Sequence, residues 1–266
     1  MKMTKQEQYA SYGINFDPKT GKIEVPFFGF VNLLLKVGNT KVGKSVFTWS
    51  TLPTNKVFHV LMNKETNDYM DIKGTCPCSC DGCYATTGRY NDPAVIRSLA
   101  INTVLIRLYP EFVKRALIAQ IKIDGIKTVR IDAAGDIENE MIQVFHDVIE
   151  ACNGTIFWTY TKNKAAENAF DDLSNMNIVK SIIPHVGKNY GHCDYIIEAY
   201  LRLTEMGIPV YICRCGIDKE QHCYNCKVCQ TYKYVLFIEH STEYKAEKDP
   251  LFPVLKEIIE SQEKPE

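Results

Sequence analysis

Thr128-Val129-Arg130-Ile131-Asp132-Ala133-Ala134-Gly135-Asp136 opens on β-branched residues and closes on a glycine and an acid. Thr128 to Ala133 predicts a strand, and the residues from about Glu138 to Cys152 predict the helix that follows it. The alternation then repeats. Thr155 to Tyr160 reads as a second strand, followed by a helix from about Lys164 to Leu173. Ile178 to Ile183 reads as a third, followed by a helix from about Asp194 to Met206, which Gly207 is placed to stop. Ile208 to Cys213 reads as a fourth strand and Tyr234 to Ile238 as a fifth. Strand starts are separated by roughly 23–30 residues, the length of one βα unit. Such alternation builds a parallel sheet, closed or partly closed.

Upstream, Asp92-Pro93 has the form of an N-cap with proline at the first helical position, and Val95, Leu99, Ile101, Val104, Leu105 and Leu108 recur at helical spacing. Pro110 opens a second helix, with Phe112, Val113, Ala116, Leu117, Ile118 and Ile121 as its apolar residues. Residues 1–70 read as irregular with some strand, at Lys22 to Val31 and Phe58 to Met62, and Asp17-Pro18-Lys19-Thr20-Gly21 as a turn. Asp249 to Ser261 reads as a terminal helix.

The chain has 266 residues, 45% of them hydrophobic, which is enough for a substantial core. Its formal net charge of −1 leaves no global footprint for nucleic acid. No stretch reaches the roughly 18 consecutive apolar residues of a membrane span. Met1 to Tyr12 is polar and lacks the apolar core of a signal peptide. These features predict a cytoplasmic protein, where disulfides are rare and clustered cysteines more often mean metal or catalysis.

All of the 11 cysteines but Cys152 and Cys193 fall in two groups. The first lies in Gly74-Thr75-Cys76-Pro77-Cys78-Ser79-Cys80-Asp81-Gly82-Cys83-Tyr84-Ala85. Loops this short strain disulfide geometry, so coordinated thiolates are the better reading. Soft sulfur ligands select zinc, copper(I) or iron–sulfur clusters. Cys76, Cys80 and Cys83 stand as C-x3-C-x2-C, which can hold three corners of a [4Fe–4S] cube and leave the fourth iron open. In radical SAM enzymes that iron binds S-adenosylmethionine, and an electron from the cluster cleaves the sulfonium. Cys78 adds a fourth thiol, so either Cys78 or Cys80 supplies the middle ligand. The aromatic that usually precedes the third cysteine is Gly82 here; Tyr84 follows instead and is the candidate for that cofactor contact. A structural zinc site is the competing reading.

Barrel active sites lie at the carboxyl ends of strands, where Ala133-Ala134-Gly135-Asp136 is expected. Gly135-Asp136 is similar to a shortened form of the Gly-Gly-Glu stretch by which radical SAM enzymes meet the amino group of S-adenosylmethionine. Gly135 would permit close backbone approach and Asp136 would accept from an ammonium. The plainer alternative is a strand-to-helix turn with Asp136 as N-cap. Arg130 on the same strand takes Asp132 as its expected partner. His185, Tyr160 and Lys162 follow at other strand ends, with ordinary packing as the competing explanation for each.

The second group is Cys213-x-Cys215 followed by Cys223-x2-Cys226-x2-Cys229, the latter the start of a ferredoxin-type run. Cys213 or Cys215 would complete an auxiliary [4Fe–4S] cluster. A zinc site at Cys223, Cys226 and Cys229, or a thiolate shared with the first group, are the alternatives. Cys152 and Cys193 read as ordinary buried thiols.

From about Phe47 to Lys245 the chain resembles the phage "gene product 88" family, whose members look related to radical SAM enzymes. Trp49-Ser50-Thr51-Leu52-Pro53, Thr75-Cys76-Pro77, Cys83-Tyr84-Ala85 with Gly88-Arg89-Tyr90, Val129 to Asp136, Phe157 to Lys162 and the Cys223–Cys229 run carry the resemblance. It implies an α/β fold with a partial or complete TIM-like (β/α) barrel and iron–sulfur binding. On that footing residues 1–70 form an N-terminal segment packed on the barrel. Residues 71–245 form the radical-SAM-like core with its second cysteine group at 213–229, and residues 246–266 the C-terminal helix. The location becomes the host cytoplasm if the chain is phage-encoded. Three functions compete: a radical-SAM-like enzyme of unidentified small-molecule or macromolecular substrate, fed by a reductant protein; a non-catalytic iron–sulfur protein with a fully protein-ligated cluster, working in electron transfer, sensing or binding of a host partner; and a zinc-stabilised interaction module.

Overall fold

The computed structural model describes residues 3–38, 44–63, 66–77, 84–86, 88–180, 190–214, 226–238 and 246–262. Residues 1–70, expected to be irregular with some strand, begin instead with a helix, α1 (Lys5–Ser11). Thr4 accepts from the Glu7 N–H while the Glu7 carboxylate takes the Thr4 N–H, a reciprocal cap legible as Thr4-x-x-Glu7. The short strands β1 (Phe16–Asp17), β2 (Lys22–Val25) and β3 (Gly29–Asn32) form an antiparallel meander. The strand expected within Lys22 to Val31 is a hairpin of two, turning at Pro26–Phe28 with Phe27 at φ 69°. Next come β4 (Lys36–Val37), β5 (Phe47–Thr48) and the hairpin of β6 (Val57–Asn63) with β7 (Asp68–Lys73).

In α2 (Pro93–Leu108), Asp92 caps the helix by accepting from the Ala94 N–H, with Pro93 at the first turn. In α3 (Pro110–Asp124), proline opens the helix and Gly125 ends it in the left-handed conformation, φ 64°. Then follow β8 (Thr128–Ile131), α4 (Asn139–Ala151), β9 (Ile156–Thr161), α5 (Lys164–Ala169), β10 (Met176–Lys180), β11 (Tyr190–Gly191), α6 (Cys193–Glu205), β12 (Val210–Cys213), α7 (Val228–Thr231), β13 (Tyr234–Ile238) and α8 (Phe252–Ser261). The helix expected to reach Leu173 stops at Ala169, because Phe170 folds into the core as its C-cap. The third strand starts at Met176, earlier than expected, and residues 181–183 lie outside the described residues.

β10, β9, β8 and β5 lie side by side and parallel, with β4 antiparallel at the edge. β11, β13 and β12 form a second sheet, also parallel. Strand alternation sorts their faces. Val129, Ile131 and Phe157 join Leu117 and Ile121 of α3 and Phe145 and Val148 of α4 in the main core. Each such side chain, fully buried, contributes about 1.5–3 kcal/mol. Tyr9, Phe16, Ile23 and Leu35 from the N-terminal segment belong to the same cluster. In the second sheet, Ile212, Leu236 and Ile238 pack under Ile196 and Leu203 of α6 and Leu255 and Ile259 of α8. The opposite faces of the two sheets meet: Tyr160 and Val179 pack with Tyr211, Cys213, Val235 and Phe237. Helices therefore lie outside and two parallel sheets face inward. Among the described residues these strands form separate sheets and not one closed ring; residues 181–189, which lead from β10 to β11, lie outside them.

Candidate functional site

β5, β8 and β9 end side by side, and the chain continues to pair beyond the regular strands. The Trp49 N–H donates to the Arg130 carbonyl at 3.0 Å, Ala133 N–H to Trp49 O at 3.2 Å and Thr51 N–H to Ala134 O at 3.0 Å. Residues 49–51 and 132–136 are thereby laid against each other. The segment Gly74-Thr75-Cys76 runs over the same ends: Thr75 N–H donates to Leu52 O at 2.9 Å and Cys76 N–H to Thr54 O at 3.1 Å. A Cβ on Gly74 would sit 2.1 Å from the Pro53 carbonyl oxygen, so only glycine lets the backbones approach this closely.

A buried hydroxyl–carboxylate network joins these pieces. Thr51 Oγ1 donates to Asp132 Oδ1 at 2.9 Å and lies 2.9 Å from Thr75 Oγ1. Thr75 Oγ1 accepts from the Asp136 N–H at 2.8 Å. Asp136 Oδ1 accepts from Thr161 Oγ1 at 2.6 Å and from the Ile137 N–H at 2.8 Å, and Oδ2 from the Lys162 N–H at 3.2 Å. A carboxylate offers about four acceptor positions, so Asp136 keeps capacity for one more donor. Asp132 Oδ2 is buried and has no hydrogen-bond partner. Asp132 also holds a left-handed backbone at φ 49°, a conformation uncommon outside glycine. Burial pushes its carboxyl well above the usual range, and Asp136 and Glu138 add to the shift. Burial raises Asp136 too, against the lowering effect of its donors.

The structure changes several expectations here. Asp136 is not a helix cap, because α4 starts at Asn139 with Glu138 as its N-cap residue. Gly135, at φ 91°, does permit close approach, but to the chain's own hydroxyls: a Cβ there would meet Thr51 Oγ1 at 2.0 Å and Thr75 Oγ1 at 2.7 Å. Asp132 accepts from Thr51 on the neighbouring segment, while the Arg130 guanidinium lies over the Tyr160 ring, 4.9 Å from its centroid. Cys76 stands beside this network. Its thiol is pushed up to about 12 by burial and by Asp136, with Lys162 pulling the other way.

Arg107, which sequence reasoning missed, ties the two loops together. It makes a two-pronged contact with Glu138, at 2.8 and 2.7 Å, and donates to the carbonyls of Lys73 at 2.7 Å and Gly74 at 3.4 Å. Thr51, Thr75 and Thr161 were missed as well. An isolated threonine carries no spacing signal, and their partners come from distant parts of the chain.

Of the second group, Cys213, Cys226 and Cys229 share the cluster between the two sheets with Tyr160, Tyr211, Val228, Tyr232 and Phe237. Tyr160 Oη donates to Cys229 Sγ at 2.7 Å. Asn177 Nδ2 donates to the carbonyls of Cys229 and Tyr232, both at 2.9 Å. Cys152 and Cys193 are buried elsewhere, as expected. Cys78, Cys80, Cys83, His185, Cys215 and Cys223, and the side chain of Tyr84, lie outside the described residues. Among the described residues, no three His, Cys, Asp or Glu side chains are disposed to hold a metal ion. Thiols, the soft donors that iron and zinc take, stand at both places, Cys76 beside buried carboxylates and Cys229 with the Tyr160 hydroxyl on its sulfur.

The sequence model of a family described as Gene product 88 matches residues 33–233. No curated protein and no solved structure matches the chain. Among the described residues no helix is long and apolar enough to cross a membrane.

Proposed function

We propose, for a chain that belongs to the Gene product 88 family, an iron–sulfur protein acting as a radical-SAM-like enzyme on a partial β/α barrel. One observation carries the reading. Cys76, the first thiol of the first group, is pinned through Thr75 to the backbone of Asp136, at the carboxyl ends of parallel strands. Cys76 with Cys83 and either Cys78 or Cys80 would hold a [4Fe–4S] cluster there. When bound, that cluster would supply the electron that cleaves S-adenosylmethionine, drawn from a reductant protein. This chain's own part is to hold and orient. The remaining acceptor capacity of Asp136 and the unpartnered Oδ2 of Asp132 offer hydrogen-bond acceptor positions to an amino group. The substrate is unidentified, and the reading places the protein in the cytoplasm.

A second reading has its own support. Cys213, Cys226 and Cys229 gather in one cluster, which favours a centre whose irons all carry protein ligands and which transfers electrons or braces the fold. One experiment separates these readings: anaerobically purified, reduced protein is followed by electron paramagnetic resonance with and without S-adenosylmethionine. The enzyme reading expects an altered signal and release of 5′-deoxyadenosine. An intact cluster whose spectrum ignores S-adenosylmethionine removes the enzyme reading and leaves the second. Zinc without iron or sulfide removes both and leaves a zinc-stabilised interaction module.

A further inference from the structure

We propose that the open edge of β3 pairs antiparallel with the same strand of a second copy of this chain, joining two N-terminal meanders into one continuous sheet. The inference does not depend on the iron–sulfur reading.

One hydrogen bond fixes the direction of the backbone groups. The Glu24 N–H donates to the Asn15 carbonyl at 2.9 Å, so Lys22 and Glu24 turn their N–H and carbonyl groups toward β1. Backbone direction alternates along a strand, so Ile23 and Val25 turn theirs toward Val31 and Gly29 of β3. By the same alternation Phe30 and Asn32 turn theirs away from β2. Among the described residues no strand lies on that side. Nothing along Gly29-Phe30-Val31-Asn32 guards this edge: it holds no charge, no proline and no bulge. β7, at the edge of the other hairpin, carries Asp68, Asp71 and Lys73.

The turn leading into β3 adds apolar surface that the single chain leaves uncovered. The Phe28 N–H donates to the Pro26 carbonyl at 2.9 Å around Phe27 at φ 69°, the rare form of γ-turn. A bulky residue is strained at positive φ, yet the Phe27 ring is 75% exposed and Phe30 beside it 48%.

Two-fold symmetry selects the occupant. About an axis through Val31, Phe30 stands opposite the partner's Asn32, and Asn32 opposite the partner's Phe30. Each pair exchanges two hydrogen bonds, which satisfies every outward N–H and carbonyl of both strands. Val31, which packs against the main core, meets the partner's Val31, so inward side chains stay inward. Charge agrees with this register. Phe30 lies beside Glu24 and Asn32 beside Lys22, so each row across the joined strands carries a glutamate on one copy and a lysine on the other. A strand from a different protein would meet the hydrogen bonds without that match.

The test is sedimentation of the full chain across a concentration series, with amide hydrogen exchange read residue by residue. We expect a monomer–dimer equilibrium. The Phe30 and Asn32 amides should slow as concentration rises, while the Gly29 and Val31 amides, already bonded to β2, change little. Phe30→Lys places on the edge the kind of charge that guards natural sheets. It should weaken dimerisation about tenfold or more and leave the urea midpoint unchanged, because the side chain is half exposed. A chain that stays monomeric throughout overturns the proposal. So does a folded Phe30→Lys chain that dimerises like the parent, or a dimer whose Phe30 and Asn32 amides exchange as in the monomer, since it forms through another surface. The exchange measurement needs no variant and decides the matter if Phe30→Lys fails to fold.

Discussion

At Gly135 a hydrogen in place of a methyl decides whether the strand-end turn can close. Gly135→Ala would drive a Cβ to 2.0 Å from Thr51 Oγ1 at a backbone φ of 91°. We expect a loss of about 2–4 kcal/mol, read as a lower urea midpoint; an unchanged midpoint would show that the turn has another conformation. Asp132 supplies a pH test. Its folded pKa is raised, mainly by burial. The stability it permits is therefore complete below its unfolded value of about 4, and is lost as pH rises toward the folded value. Asp132→Asn keeps an acceptor for Thr51 and removes the titration. The unfolding free energy of this variant should fall less than the parent's as pH rises from about 4 to neutrality. Identical pH profiles would contradict the burial of an acid with one unpaired oxygen there. Gly135 and Asp136 were legible in the sequence as a strand-end motif. That Gly135 makes room for two threonine hydroxyls was not, because Thr51 and Thr75 reach it through tertiary contact.

The elements differ in how clearly the chain announces them. α2 carries an Asp92 cap and a leading proline, and α3 a leading proline and a closing glycine, so local chemistry sufficed to place them. β5, which contributes the first parallel strand, spans only Phe47–Thr48 and is too short for any periodicity to show. Its place is set by pairing with β8. The connection between the elements is carried by Arg107, reaching from the end of α2 to Glu138 at the start of α4 and to the carbonyls that precede Thr75. A lysine cannot reproduce the two-pronged contact. Arg107→Lys should cost about 1–2 kcal/mol in chemical unfolding and lower the iron retained on dilution, since it frees the base of the first cysteine loop. Full retention of stability and iron would show that the loop base is held by the Leu52 and Thr54 carbonyls without it.

Across the whole molecule, helices cover the outer faces of two parallel sheets whose inner faces meet around Tyr160, Tyr211 and Cys213. The repeated strand–helix alternation made the parallel sheets legible; their division into separate sheets was not, since strand order depends on long-range pairing. Neighbouring residues of β9 reach the two regions: Tyr160 bonds Cys229, and Thr161 bonds Asp136, whose backbone is held by Thr75 next to Cys76. All of the functional reading depends on these thiols gripping inorganic iron and sulfide. The most direct test is a count of iron and acid-labile sulfide in protein prepared without oxygen, with its visible absorption spectrum. We expect a brown protein holding iron and sulfide in near-equal amounts, both falling in Cys76→Ala; a colourless protein without labile sulfide would contradict the account.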